Sequence, residues 1–164
     1  MNRYARPRTS LGTLLLIAED DALTGLHFVG GKHVPPVEPA WREDPAFPIF
    51  TRCLAQVEEY LAGERAVFDL PLAPRGTPFQ QRVWREIAKV PWGETITYAE
   101  LAARAGAPGS ARAAGAATGR NPISIVIPCH RIVATDGSLT GYAGGLARKE
   151  KLLALEGALE EATA

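Results

Sequence analysis

Cysteine is scarce in this chain: its 164 residues hold two, Cys53 and Cys129. Two cysteines so far apart make neither a disulfide framework nor a paired metal-ligand spacing. A reducing cytoplasm is therefore the expected setting. Also missing is any apolar run near the roughly 20 residues that a membrane-spanning helix needs. Behind the N-terminal arginines only Leu14 to Ala18 is apolar, and an acidic cluster closes it, so no signal peptide is expected. An excess of one charge is absent too, with 18 Lys+Arg against 18 Asp+Glu. The halves differ, however. Residues 1–74 carry 7 basic against 10 acidic side chains, and residues 75–164 carry 11 against 8. Such a tilt is compatible with a C-terminal half that meets phosphate. What is present is ordinary for a soluble protein, at 46% hydrophobic and 22% charged residues. The length allows one medium domain or two small ones.

The N-terminal part reads as a small α/β unit. Leu11 to Ala18 and Leu23 to Val29 are strand-like runs joined by the turn Glu19-Asp20-Asp21. A helix is expected from about Pro45 to Ala62, with Phe50, Cys53, Leu54, Val57 and Leu61 at helical spacing and Gly63 closing it. Val67 to Leu72 reads as a returning strand, and Pro71 to Pro78 as a linker. The C-terminal part opens with a helix capped by Thr77 and started by Pro78, whose stripe is Phe79, Val83, Ile87 and Val90. Thr97-Tyr98-Ala99-Glu100 is a capping-box pattern that opens a second helix, and Gly106 ends it. Ser110 is placed to cap a third, Ala111 to about Gly119. Two short helices around a glycine turn fit a helix-turn-helix or a plain αα-hairpin.

The third helix is almost bare: Ala111, Ala113, Ala114, Gly115, Ala116 and Ala117 surround one long side chain, Arg112. It lacks the Asn, Gln and Arg readers that a major-groove helix presents to base edges. It suits either close approach to a nucleic-acid backbone or minor groove, or tight packing against a protein neighbour. After Asn121-Pro122, the run Ile123-Ser124-Ile125-Val126-Ile127 reads as a buried strand that delivers Pro128-Cys129-His130-Arg131. Asp136-Gly137, between Ile132-Val133-Ala134 and Ser138-Leu139-Thr140, signals a hairpin. Gly141 to Gly145 is a loop, and a last helix runs from about Leu146 to Glu156.

Cys53 lies on an apolar helix face and reads as a small core hydrophobe. Cys129 has His130 and Arg131 beside it, neighbours of the kind that favour the nucleophilic thiolate. Adjacent side chains project in different directions, so a proton passing from Cys129 to His130 needs a bridging water or unusual local backbone. Glu156 follows Leu152 and Leu153 by four and three residues and shares their buried face. A carboxylate turned inward at a helix C-terminus sits against the macrodipole and calls for a partner. His130 is the candidate, because a carboxylate orients the ring and supports its protonated form. The alternative is a side chain that swings out at a frayed end.

These residues resemble the O6-alkylguanine-DNA alkyltransferase family. The resemblance is carried by Ile127-Pro128-Cys129-His130-Arg131-Ile132-Val133, by Asn121-Pro122 upstream and by Gly141-Tyr142-Ala143-Gly144-Gly145-Leu146 downstream. Phe79-Gln80-Gln81-Arg82-Val83-Trp84, Pro91-Trp92-Gly93-Glu94-Thr95, Thr97-Tyr98 and Ser110-Ala111-Arg112-Ala113 extend it over residues 76–157. It implies an α/β (α+β) fold: a ribonuclease H-like domain over 1–75 and a winged-helix, helix-turn-helix domain over 76–160. It implies repair of double-stranded DNA by irreversible, single-turnover transfer of an alkyl group from O6-alkylguanine, and from O4-alkylthymine, to Cys129, with no cofactor.

The site follows position by position from the same resemblance. Cys129 is the nucleophile, and His130 and Glu156 are its water-linked activating pair. Arg112 fills the space of the extruded base, with Ala111 and Thr135 also on the DNA. Tyr98 crowds the adjoining phosphate, Asn121 braces the turn, and both join Tyr142, Ala143 and Gly144 in lining the substrate pocket. A monomer is implied, able to cluster along DNA. Two departures stand out. Some members hold a structural zinc, but residues 1–76 offer only Cys53, His27 and His33, so no metal is expected. Ala143 stands where some members have a serine that contacts the substrate oxygen. A cysteine hydrolase built on Cys129, His130 and Glu156, and a DNA-binding regulator that senses through Cys129, are the competing functions.

Overall fold

The computed structural model describes residues 2–159. Its first half is a sheet of β1 (Asn2–Ala5), β2 (Arg8–Thr9), β3 (Gly12–Glu19), β4 (Ala22–Phe28) and β5 (Arg42–Glu43), crossed by α1 (Pro48–Leu61). The strand order is β2-β3-β1-β5, with β4 added to β3. β3 and β4 form an antiparallel hairpin from Leu14 opposite Phe28 to Glu19 opposite Ala22. Asp20, at φ 53°, makes its turn, a conformation that Asp tolerates better than most side chains. Leu14, Leu15, Leu16, Ile17 and Ala18 are all buried, so β3 is covered on both faces. α1 lays Phe50, Cys53, Val57 and Tyr60 into the same core. Cys53 is fully buried there, as its place on the apolar stripe predicts.

The second half contains α2 (Pro78–Ala88), β6 (Ile96–Thr97), α3 (Tyr98–Arg104), α4 (Ala111–Gly119), a 3-10 turn at Cys129–Arg131, β7 (Ile132–Val133) and α5 (Leu146–Leu155). β6 and β7 pair in parallel. Thr77 and Gln80 form a complete capping box on α2. Thr97 accepts from the Glu100 N–H at the start of α3, but the Glu100 carboxylate pairs with Arg104 instead of closing the box. Ser110 is the residue before α4, yet its side chain makes no capping bond. The two halves share one core and are stitched by backbone: the Leu26 N–H donates to Pro122 and the Ser124 N–H to Leu26, both at 2.9 Å.

Three expected elements are replaced. Val67 to Leu72 is not a strand; only Leu72 bridges Leu23. The Gln56 amide takes both the Asp69 N–H and its C=O, at 2.9 and 3.0 Å, which a strand would offer to a neighbour. Ile123 to Ile127 is buried except for the half-buried Val126, but it is folded into turns, with Ile125 at φ 70°, a conformation unfavourable for a β-branched residue. The hairpin at Asp136-Gly137 keeps its turn, with Ala134 N–H donating to Ser138 at 3.1 Å, but no second strand follows. β7 is already paired with β6, and the Thr140 carbonyl is taken by Lys149.

Candidate functional site

Asn121 organises the approach to Cys129. Its side chain accepts from the Ile123 N–H at 3.0 Å and donates to the Ile127 carbonyl at 2.8 Å, so one amide clamps both ends of the turn. Val126 N–H donates to Ser124 at 2.8 Å and Cys129 N–H to Ile127 at 2.7 Å, each spanning two residues. The first is a γ-turn centred on Ile125 at φ 70°, and the second an inverse γ-turn centred on Pro128, at φ −80° and ψ 64°. A strand would pass Cys129 straight through the core. These turns instead set it on the wall of a cavity of about 400 Å³.

That cavity is also lined by Tyr98, Gly115, Ala116, Tyr142 and Ala143. The Tyr98 hydroxyl donates to the Thr140 carbonyl at 3.2 Å. The Tyr142 ring is edge-on to both Phe28 and His130, at 6.1 and 6.5 Å between centroids. Two residues expected in the pocket do not line it: Asn121 is spent on the turn behind Cys129, and Gly144 lies so close to the Phe28 ring that an added Cβ would meet it at 2.5 Å. α4 packs one face against the protein and leaves the other exposed. Ala114, Ala117 and Thr118 are buried, with the Trp84 indole N–H on the Ala117 carbonyl at 2.8 Å. Ala113, Ala116 and Arg112 face solvent, and Ala111 is half-buried at the first turn. Thr135 is exposed on the turn after β7.

Behind the cavity lies a charge cluster. Glu156 is the C-cap residue of α5 and is almost fully buried. Its Oε2 is 2.8 Å from His130 Nε2, and it also accepts from the Tyr60 hydroxyl of α1. Arg131 grips the carboxylate with two parallel bonds, Nε to Oε1 and Nη2 to Oε2, both 2.8 Å. Its third nitrogen donates to the Val90 carbonyl at 2.6 Å. Burial pushes the Glu156 pKa up, but the bonds from His130 and Arg131 outweigh it and hold the carboxyl at about 2. The sequence reading assigned Glu156 the task of supporting a protonated His130. The arrangement differs, because Arg131 already supplies the positive charge. Burial lowers the His130 pKa, and Glu156 only partly offsets this, so the resting ring is neutral. Nε2 is engaged by Glu156, and His130 Nδ1 is buried with no protein partner among the described residues.

Burial also pushes the Cys129 thiol up, while the Asn121 side chain and the Lys149 charge pull it down. Lys149 is fully buried on α5, its Nζ donating to the carbonyls of Ile132, Thr140 and Gly141 at 2.6, 3.0 and 3.3 Å. Burial lowers its pKa to about 8. No hydrogen bond joins Cys129 to His130 directly. Sequence reasoning missed Lys149, Tyr60 and the ion-pair role of Arg131. Lys149 was within reach, since it precedes Leu152 and Leu153 by three and four residues and so shares their face.

Two family models cover nearly all of the chain. The ribonuclease-like domain of 6-O-methylguanine DNA methyltransferase matches residues 2–74, and the DNA-binding domain matches 78–158. A methylated-DNA–protein-cysteine methyltransferase of Mycolicibacterium paratuberculosis is 46% identical over 95% of this chain and 93% of its own. One from Methanosarcina acetivorans is 45% identical over 94% and 97%. Among solved structures, Mycobacterium tuberculosis OGT in complex with DNA superposes with a TM-score of 0.88 at 42% identity, covering 94% of this chain and 92% of that one. The fold accordingly joins a ribonuclease-like N-terminal unit to a C-terminal DNA-binding unit, and the chain belongs to the 6-O-methylguanine DNA methyltransferase family.

Proposed function

We propose that this protein repairs DNA by moving the alkyl group of O6-alkylguanine, and of O4-alkylthymine, onto Cys129, once per molecule. The observation that carries the reading is a thiol on a cavity wall with a neutral histidine behind it, fixed by a buried carboxylate. With Nε2 carrying its hydrogen toward Glu156, Nδ1 is the lone-pair nitrogen. It takes the thiol proton through one water, because the ring does not reach the sulfur. The thiolate then attacks the alkyl carbon in line. The carbon–oxygen bond breaks with its electron pair going to guanine O6, and Tyr98, turned from Thr140, supplies a hydrogen bond to the departing base. The product is a thioether. It has no carbonyl for water to attack, so the thiol is not regenerated.

The lesion reaches the cavity only when the base leaves the stack, which is easiest for damaged pairs. The bare outer face of α4 suits close approach along the minor groove, with Arg112 filling the vacated space, and Ala111 and Thr135 flank it on the DNA side. Ala143 offers no side-chain hydroxyl, so hydrogen bonds to the substrate oxygen come from backbone or Tyr98. The reading carries a monomer able to cluster on DNA, residues 1–75 and 76–160 as its two domains, and a cytoplasmic setting that keeps Cys129 reduced. No helix among the described residues is long and apolar enough to cross a membrane.

The test is to incubate the protein with a duplex containing O6-methylguanine and weigh it intact. One methyl per molecule, on Cys129 and absent from Cys129→Ser, is the expected result. Repeated turnover on an ester or amide would replace this reading with the hydrolase. Binding without an adduct would leave a regulator.

A further inference from the structure

We propose that Lys32 and Arg120, with His33 beside them, form a cationic lip that holds the sugar-phosphate of the extruded nucleotide, so that the N-terminal half takes part in gripping DNA. The inference rests on the alkyl-transfer reading and adds to it a contact surface outside α4. Two cavities adjoin here: the one that contains Cys129, and a second of about 330 Å³ bordered by Trp41, Asn121 and Pro122. Lys32, His33, Gly119 and Arg120 line both, so they form the ridge between them. Neither cavity has an Asp or Glu in its lining.

All three side chains are exposed, and among the described residues none has an ion-pair or hydrogen-bond partner. Two unpaired cations, Lys32 and Arg120, on a ridge whose flanking cavities have no carboxylate in their linings favour an anion. The ridge is held where it is by backbone. The Lys32 N–H donates to the Ala143 carbonyl at 2.8 Å, which ties this N-terminal loop to the wall of the Cys129 cavity. At Gly31 an added Cβ would lie 2.6 Å from that same carbonyl, so the loop approaches closely because the residue is glycine.

The geometry matches a nucleotide. A base that enters the cavity to present its O6 substituent to Cys129 leaves its ribose and phosphates at the rim. α4 runs from Ala111 to Gly119, so Arg112 and Arg120 mark its two ends, separated by roughly 12 Å of helix rise. A strand lying along α4 meets Arg112 at the first end and the lip at the other. Phosphate contacts of this kind position DNA without reading its sequence.

The experiment compares the unsubstituted protein with Lys32→Gln/Arg120→Gln, and with Lys32→Arg/Arg120→Lys, which keeps both charges. The double Gln variant should bind duplex DNA at least tenfold more weakly at low salt. The slope of log affinity against log salt should fall by roughly 1.8, at about 0.9 per lost phosphate contact. The charge-keeping variant should retain both. Alkylation by the free base O6-methylguanine, which carries no phosphate, separates binding from pocket shape. If the Gln variant slows equally on the free base, the residues shape the pocket and the lip is overturned; unchanged affinity and slope overturn it as well. If the unsubstituted protein gains no methyl on Cys129 from either substrate, it is the alkyl-transfer reading that fails.

Discussion

Tyr60 of α1 donates to the same Glu156 oxygen that His130 holds at 2.8 Å, although 96 residues separate the tyrosine from the glutamate. The N-terminal half therefore braces the carboxylate from inside the core, where Tyr60 is fully buried. Burial and the Glu156 charge raise the Tyr60 pKa, so its hydroxyl remains a donor at every working pH. Tyr60→Phe removes that donor and leaves a buried carboxylate short of one bond. A loss of about 1.5–3 kcal/mol is expected for a bond to a charged group. Single-turnover transfer should slow several-fold, as Glu156 becomes free to rotate away from the ring. A variant that melts lower but transfers at the unsubstituted rate would show that Tyr60 acts on stability alone.

The pH dependence follows from two shifts. His130 is lowered below its ordinary 6.5, so its neutral, accepting form persists into mildly acidic solution. The transfer rate should fall only as pH drops through that lowered value; a midpoint at or above 6.5 would contradict the lowering by burial. Glu156 is held at about 2 against an ordinary 4.5. A depressed carboxyl stabilises the fold fully above its unfolded value, and the contribution is lost as pH falls from 4.5 toward 2. The stability gap between the unsubstituted protein and Glu156→Gln should close across that window in acid-unfolding curves.

Gly144 tests the wall of the cavity. Its Cα lies where a methyl group would meet the Phe28 ring at 2.5 Å and the Tyr142 ring at 2.8 Å. Gly144→Ala must displace one ring or the other, and overpacking of this kind costs about 1–3 kcal/mol. Because Tyr142 borders both Cys129 and His130, slower transfer should accompany a lower melting temperature. Full activity at unchanged melting would mean that the loop accommodates the methyl elsewhere.

How much of this was visible beforehand depends on the range of the interaction. The α2 capping box and the stripes of α1 and α2 are local, and residues a few positions apart specify them. The inward turn of Glu156 is local as well, because Leu152 and Leu153 fix its face. Ile123 to Ile127 misled, since an apolar run, broken here only by Ser124, reports burial but not direction. What bends it is the Asn121 clamp, a side-chain bond across 6 residues. The short β1 was also missed: Asn2 to Ala5 has little apolar pattern and is specified by pairing with β3. Arg131 as the charge partner of Glu156, and Tyr60 as its brace, join distant segments that only the assembled core brings together.

Arg112 is exposed at the start of α4, so removing it touches no packing. Arg112→Ala should leave stability within about 0.5 kcal/mol. If its side chain occupies the gap left by the extruded base, transfer from duplex DNA should slow about tenfold more than transfer from single strands, where no pair has to be opened. Equal slowing on both substrates would assign Arg112 to general binding.

Lys149 sets the last balance. Its charge helps to lower the Cys129 thiol against the upward push of burial, and Cys129 in return supports the protonated lysine. Lys149→Met removes that field and should move the thiol pKa upward, seen as a shift to higher pH of the thiolate absorbance and of alkylation by iodoacetamide. It also frees the carbonyls of Ile132, Thr140 and Gly141, so the loop carrying Tyr142 loses its anchor. The two effects separate in Lys149→Arg, which keeps the charge but not the compact three-way grip. A thiol titration unchanged in the Met variant would mean that the lysine only anchors the loop. A shift seen in Met and absent in Arg would assign the thiolate's stabilisation to the charge itself.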